Sequence, residues 1–156
     1  MIGAIDINGF IPLACEIIFK DEISEEGAAG TVNQAKFLEY VKNRIVPILG
    51  NFMRSEPCSI VVIDNASTHI TEEVKDLIHG AGAYLLYTAP YSPDINPIEH
   101  AFNVYKSTLK RLHNHPGLDW YHIHLKGLQS VTRDFCINEY RRCGMPLSSS
   151  DFILNS

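Results

Sequence analysis

With 156 residues, 46% of them hydrophobic, the chain can bury the core of one domain. No apolar run reaches the length of a membrane span, and no charged-then-apolar leader precedes the first strand, so a soluble intracellular protein is expected rather than a membrane or secreted one. The net charge of −5 argues against indiscriminate affinity for nucleic acid, yet it is uneven: residues 1–99 carry six Lys/Arg against fourteen Asp/Glu, and residues 100–156 carry seven against four. The basic C-terminal third is compatible with phosphate contacts and, equally, with an ordinary solvated surface.

Residues 1–7 and 10–19 read as two strands joined at Asn8-Gly9, a strong hairpin signal. An acidic, glycine-containing loop runs from Asp21 to Gly30. Asn33 is placed to cap the next helix, whose Phe37, Leu38, Val41, Ile45, Ile48 and Leu49 recur at helical spacing. Pro47 should kink or loosen its last turn. Four β-branched residues in a row, Ile60-Val61-Val62-Ile63, then lead into Asp64; without polar alternation they predict a strand buried on both faces of a parallel sheet. Thr71 caps a short helix with Glu72 and Glu73 in its first turn, and Gly80 and Gly82 close it. Residues 83–88 form the next strand.

After the proline-punctuated stretch from Ala89 to Pro97, a helix is predicted over 97–113, burying Ile98, Ala101, Phe102, Tyr105, Leu109 and Leu112. Glu99, Asn103, Lys106 and Lys110 fall on one adjacent stripe, which either tracks a phosphate backbone or is the solvated side of an amphipathic helix. A loop over 113–117 precedes a final helix over 121–142 that packs through Leu125, Leu128, Phe135 and Tyr140, and residues 148–156 read as a frayed tail. Cys15, Cys58, Cys136 and Cys143 lack paired metal-ligand spacing; buried reduced thiols are a better reading than a zinc site of Cys136 and Cys143 with His122 and His124.

Two carboxylates stand out. Asp64 ends a strand at the carboxyl edge, where open α/β sheets place their ligands. Thirty-four residues separate it from Glu99, which lies at the start of a helix. Two such acids suit a hard cation such as Mg²⁺ and metal-assisted phosphoryl chemistry. Each has a plainer reading. Asp64 can bond the amides of the following turn. In Asn96-Pro97-Ile98-Glu99, Glu99 can reach back to the Asn96 amide as in a capping box.

Ile63-Asp64-Asn65-Ala66-Ser67-Thr68-His69, followed by Pro90-Tyr91-Ser92-Pro93-Asp94-Ile95-Asn96-Pro97-Ile98-Glu99, resembles the DDE transposases of the mariner and related insertion-sequence superfamily. The spacing is one of that superfamily's, and the ten-residue second block is far more specific than an acidic pair. The resemblance covers residues 1–115 well and the C-terminal stretch more loosely. It implies an α/β fold with an RNase H-like mixed sheet flanked by helices. It also implies an enzyme that cleaves and joins DNA strands with Mg²⁺ or Mn²⁺ in a two-metal site. By that resemblance Asp64 and Glu99 are catalytic and hold metal, and Asn96 and Pro97 support them; His69 either supports them or contacts a phosphate, or is a satisfied structural histidine. Lys106, Lys110 and Arg111 contact DNA.

The superfamily uses three acids, the first on an opening central strand upstream of the hairpin. This chain starts at the hairpin. Asp6, two residues before the turn, is expected to bond locally and not to be that acid. The sequence therefore reads as an N-terminally truncated copy: a partial catalytic domain over 1–115, a helical extension of it over 116–147, and a tail over 148–156. Alone it is expected to be inactive, and the alternative is a non-catalytic remnant that binds DNA or assembles with other copies. An unpaired sheet edge invites such homo-oligomers. No membrane or organic cofactor is implied, and the location follows as the nucleus in a eukaryote, otherwise the cytoplasm or nucleoid.

Overall fold

The computed structural model describes residues 1–17, 32–66, 69–90, 92–145 and 147. The expected loop over 21–30 and tail over 148–156 lie outside them, as does the far end of the predicted second strand. The architecture is mixed α/β, with five α-helices and two small sheets among the described residues. The chain forms two compact units, one of Met1–Ile2 and Leu13–Ser92 and the other of Gly3–Pro12 and Pro93–Ser156.

In the first unit, a bridge pairs Ile2 with Glu16. Helix α1, Gln34–Tyr40, begins at Asn33, whose side chain accepts from the Lys36 amide at 2.9 Å. It runs on through a π-helical turn, Val41–Ile45, into a 3₁₀ turn, Val46–Ile48, that holds Pro47; the helix end departs from α geometry, but the turn at the ring is tighter and not looser. Tyr40 is buried and donates to the Ala14 carbonyl at 2.7 Å, and burial pushes its phenol well above the ordinary range.

Strand β3, Ile60–Ile63, pairs in parallel with β4, Tyr84–Tyr87, with Ile60 opposite Tyr84 and Ile63 opposite Tyr87. Between them lies α2, Glu72–Gly80, capped by Thr71, whose hydroxyl accepts from the Val74 amide. Gly82 follows at φ 85° and turns the chain into β4. The parallel pairing is as expected; burial on both faces is not. Residues of both strands alternate between exposed and half-buried, with Ile60 51%, Val62 41%, Tyr84 50% and Leu86 44% exposed. In a two-stranded sheet covered by α2, whose Val74 and Ile78 are fully buried, only alternate side chains find cover.

In the second unit, β1 (Ile5–Asp6) pairs antiparallel with β2 (Gly9–Phe10), so the turn residues are Ile7 and Asn8 rather than Asn8 and Gly9. The strands are far shorter than predicted, and the two sheets are separate. Gly9 has φ 128°, and a Cβ there would sit 2.6 Å from the Val131 carbonyl oxygen, so glycine is required by both backbone and space.

Helix α3, Pro97–Leu112, buries Pro97, Ala101, Tyr105 and Thr108. Ile98, Phe102, Leu109 and Leu112 flank that stripe, half-buried. The predicted last helix is two: α4, Trp120–Gln129, and α5, Arg133–Arg142. Thr132 ends the one run and starts the next, its side chain accepting from the Phe135 amide at 3.3 Å. The break turns Leu125 outward, 38% exposed, and buries Gly127, Val131 and Cys136 instead. A Cβ on Gly127 would meet the Tyr105 ring at 2.8 Å, which is how α3 and α4 approach so closely. The four thiols differ from expectation too: Cys136 is buried and pushed up to about 11 by burial, then by Asp6 and Glu139, but Cys15 and Cys143 are half-buried and Cys58 is exposed. Cys58 has φ 55°, in the surface turn that feeds β3.

Candidate active site

Asp64 follows directly on β3. The ladder is carried to that point by the Thr88 amide donating to the Ile63 carbonyl at 2.9 Å, so the carboxylate leaves the carboxyl end of a parallel pair. Its side chain is 41% exposed. Oδ1 accepts from the Ala66 amide at 3.4 Å and from Nδ1 of His69. The His69 amide donates back to the Ala66 carbonyl at 2.9 Å, which folds the loop so that the imidazole faces the acid. On its other side the imidazole stacks on Phe37 of α1, with centroids 3.9 Å apart and planes 28° from parallel. Phe37 is buried. A core ring therefore holds a histidine, and the histidine holds the carboxylate by one oxygen.

Glu99 is the third residue of α3 and is half-buried. The Asn96 side chain accepts from the Ile98 amide at 3.3 Å, and Pro97 occupies the first helical position, where its missing N–H costs no hydrogen bond. The reciprocal half of a capping box is not formed: the Asn96 amide donates to the Pro93 carbonyl at 3.1 Å. The next residue, His100, meets α5. Its Nδ1 is 3.3 Å from Glu139 Oε2, Arg142 pairs with the same carboxylate at 2.8 Å, and Arg142 also contacts the imidazole. The Cys143 thiol reaches the Asp94 carbonyl at 3.7 Å. The end of α5 thus braces the start of α3, from which Glu99 projects.

Sequence reasoning picked out Asp64, His69, Asn96, Pro97 and Glu99, but missed Phe37 as a platform and Glu139 and Arg142 as a brace. The five-residue step from Asp64 to His69 was the available sign of the first. For the second, no local pattern could place α5 beside His100. Lys106, Lys110 and Arg111 are all exposed on α3, as are Asn103 and Ser107. Asp6 behaves as expected of a turn residue: its Oδ1 accepts from the Asn8 amide at 2.7 Å and its Oδ2 from the Asn8 side-chain amide at 3.4 Å.

Asp64 belongs to the first unit and Glu99 to the second. Both offer carboxylate oxygen, the hard donor that Mg²⁺ takes, and Mg²⁺ is commonly held by one or two carboxylates with water and substrate phosphate completing its shell. Among the described residues no three His, Cys, Asp or Glu side chains group as metal ligands. Among them, too, no helix is long and apolar enough to cross a membrane.

The family model of the DDE superfamily endonucleases matches residues 20–119, a span that holds β3, Asp64, the proline-rich loop and Glu99 and that begins after the hairpin. No curated protein and no solved structure matches the chain. The match covers most of the sequence, and the chain belongs to the DDE superfamily of endonucleases, the class of transposase-like nucleases.

Proposed function

We propose that the chain is a catalytic-domain portion of a DNA transposase with an RNase H-like core, and that Asp64 and Glu99 are the two acids it contributes to metal-dependent strand cleavage and transfer. The observation that carries this reading is Asp64 itself: a carboxylate at the carboxyl end of a parallel strand, held through one oxygen by His69, inside the segment matched to the family. Asp64 and Glu99 would hold Mg²⁺ or Mn²⁺, which supplies charge stabilisation at the phosphoryl group and at the attacking and leaving oxygens. His69 orients Asp64, and Asn96 with Pro97 fixes the residue at which α3 begins and so the direction of Glu99. Lys106, Lys110 and Arg111 meet phosphates. The site of action follows the DNA: the nucleus in a eukaryote, otherwise the cytoplasm or nucleoid.

Three acids serve this chemistry in the superfamily, and Asp6 is engaged by its own turn. With two carboxylates the ions are held weakly, and positioning plus charge stabilisation make up nearly all phosphoryl-transfer catalysis. The chain alone is thus expected to show no specific nicking of supercoiled DNA with Mg²⁺ or Mn²⁺. A form extended upstream by a strand bearing an Asp should gain metal-dependent nicking and fold more stably, and Asp64→Asn or Glu99→Gln should abolish the gain. Robust nicking by the chain itself, lost in Asp64→Asn, overturns the two-acid account and leaves the enzyme standing. Nicking that survives both substitutions overturns the site.

A second reading, a non-catalytic remnant that holds DNA or joins other copies, draws support from the exposed apolar side chains of β3 and β4. An extended form that binds DNA but never cleaves it would favour that reading.

A further inference from the structure

Trp120 is the chain's single tryptophan and the outer end of a run of rings in the second unit. Phe102 packs on Phe10 at 5.7 Å between centroids, Phe10 on Tyr105 at 6.0 Å, Tyr105 on His124 at 5.8 Å, and His124 on Trp120 at 4.1 Å. The inner rings are buried or half-buried, whereas Trp120 is 47% exposed and Tyr121 beside it 65%. Nδ1 of His124 hydrogen-bonds the Tyr105 hydroxyl, which fixes the ring under Trp120, and burial holds its imidazole below the ordinary range. The indole is therefore supported from within by His124 while about half of it stays exposed. Two large aromatic side chains exposed in succession at the start of α4 mark a contact surface more than a fold requirement.

The charge around them is a separate observation. Residues 106–126 carry Lys106, Lys110, Arg111 and Lys126 against Asp119 alone, in a chain whose net charge is −5. Asp119 is itself engaged, accepting from the His122 amide at 2.8 Å and from its Nδ1 at 2.7 Å. Helices α3 and α4 pack together, Tyr105 and Leu109 against Gly127, and are joined by the short connection 113–119. That topology brings Lys110 and Arg111, at the end of α3, to the same end of the helix pair as Trp120 and Tyr121, at the start of α4. All four are exposed.

We infer that the closed end of the α3–α4 pair is a binding surface for unpaired DNA, with Lys110 and Arg111 on phosphates and Trp120 and Tyr121 stacked on bases. The inference rests on the DNA-endonuclease reading and deepens it. Cations alone would serve a duplex as well. Exposed rings would not, because paired bases are stacked inside the helix and offer no free face, whereas every unpaired base has one.

The test uses the 156-residue chain. An oligothymidylate about 16 nucleotides long, the upper end of what a single such module covers, is compared with a duplex of the same length. The oligothymidylate should quench the Trp120 fluorescence, and its affinity should fall steeply with salt. By anisotropy of labelled DNA, Trp120→Ala should weaken single-strand binding about tenfold or more, the worth of a lost stacked base. Duplex binding should stay within about twofold, as expected where phosphates alone are contacted. Trp120→Phe, which keeps a ring over His124, should retain most of the single-strand affinity and covers the case in which the alanine variant does not fold. Lys110→Ala with Arg111→Ala should weaken both forms and flatten the salt dependence. Unchanged single-strand affinity in Trp120→Ala, with duplex still bound and nicked by the strand-extended form, overturns this inference alone. Binding of neither form overturns it together with the DNA reading.

Discussion

The two units solve the problem of covering apolar surface in opposite ways. The helical unit covers its central stripe from within: α3 presents Pro97, Ala101, Tyr105 and Thr108, and α4, α5 and the hairpin close over them, leaving Trp120 and Tyr121 exposed at one end. The sheet unit does not. Its two strands are apolar at every position, but α2 covers only one side, and Ile60, Val62, Tyr84 and Leu86 stay in water. A strand composed for two covered faces and given one is the clearest sign in the molecule of a surface that expects company. The acid at its end, Asp64, is steadied from α1 through His69 and not by the sheet.

Substitutions on each side of this contrast should separate sharply. The largest effect belongs to Ile78→Ala, which empties a fully buried position under the covered side of the sheet; a loss of about 2–5 kcal/mol is expected, read from the denaturant midpoint. A smaller loss of the same sign would mean that the sheet unit collapses around the gap and is looser than its burial implies. Next is Gly127→Ala. The new methyl must displace the buried Tyr105 ring, an overpacking cost of about 1–3 kcal/mol that outweighs the ~1 kcal/mol gain in helix propensity. If the midpoint rises instead, α3 and α4 are free to slide apart. The smallest effect is expected for Val62→Thr on the open face, about 0.5 kcal/mol or less, with reduced self-association in sedimentation. A loss comparable to that at Ile78 would show that this face is covered after all.

What was legible in the sequence was what is local. Asn33, Thr71 and Asn96 act as caps because a side-chain oxygen two or three residues before an amide needs no knowledge of the rest of the fold. A parallel sheet for β3 followed from its unbroken β-branched run. The cover of β3 was not legible, since apolar content states what a strand can tolerate and not what lies against it. Nor was the break at Thr132: its cap is one more polar residue in a helical period that continues on either side, and only the burial of Val131 and Cys136 shows that the axis has turned. The hairpin was found one residue out of place because Gly9 spends its positive φ on approaching Val131 and not on the turn. Of the candidate site, the motifs picked out both acids, and the Asn96 cap is formed. The Phe37 stack and the Glu139–Arg142 brace depend on elements far away in sequence.

The hairpin has a consequence for how the protein is made. Phe10 packs on Phe102 and Tyr105, the Asn8 side chain accepts from Arg133, and Tyr140 donates to the Ile5 carbonyl. Its partners lie in α3 and α5, and nearly all of the sheet unit is synthesised before them. During elongation Phe10 waits with no ring to lie against, and the second unit closes only when α5 has emerged. The search that joins the two pieces is entropically mild, because loop-closure cost grows by only ~0.6 kcal/mol per doubling of length. It is slow all the same, and the interval is the stage at which a nascent chain depends most on being kept from its neighbours.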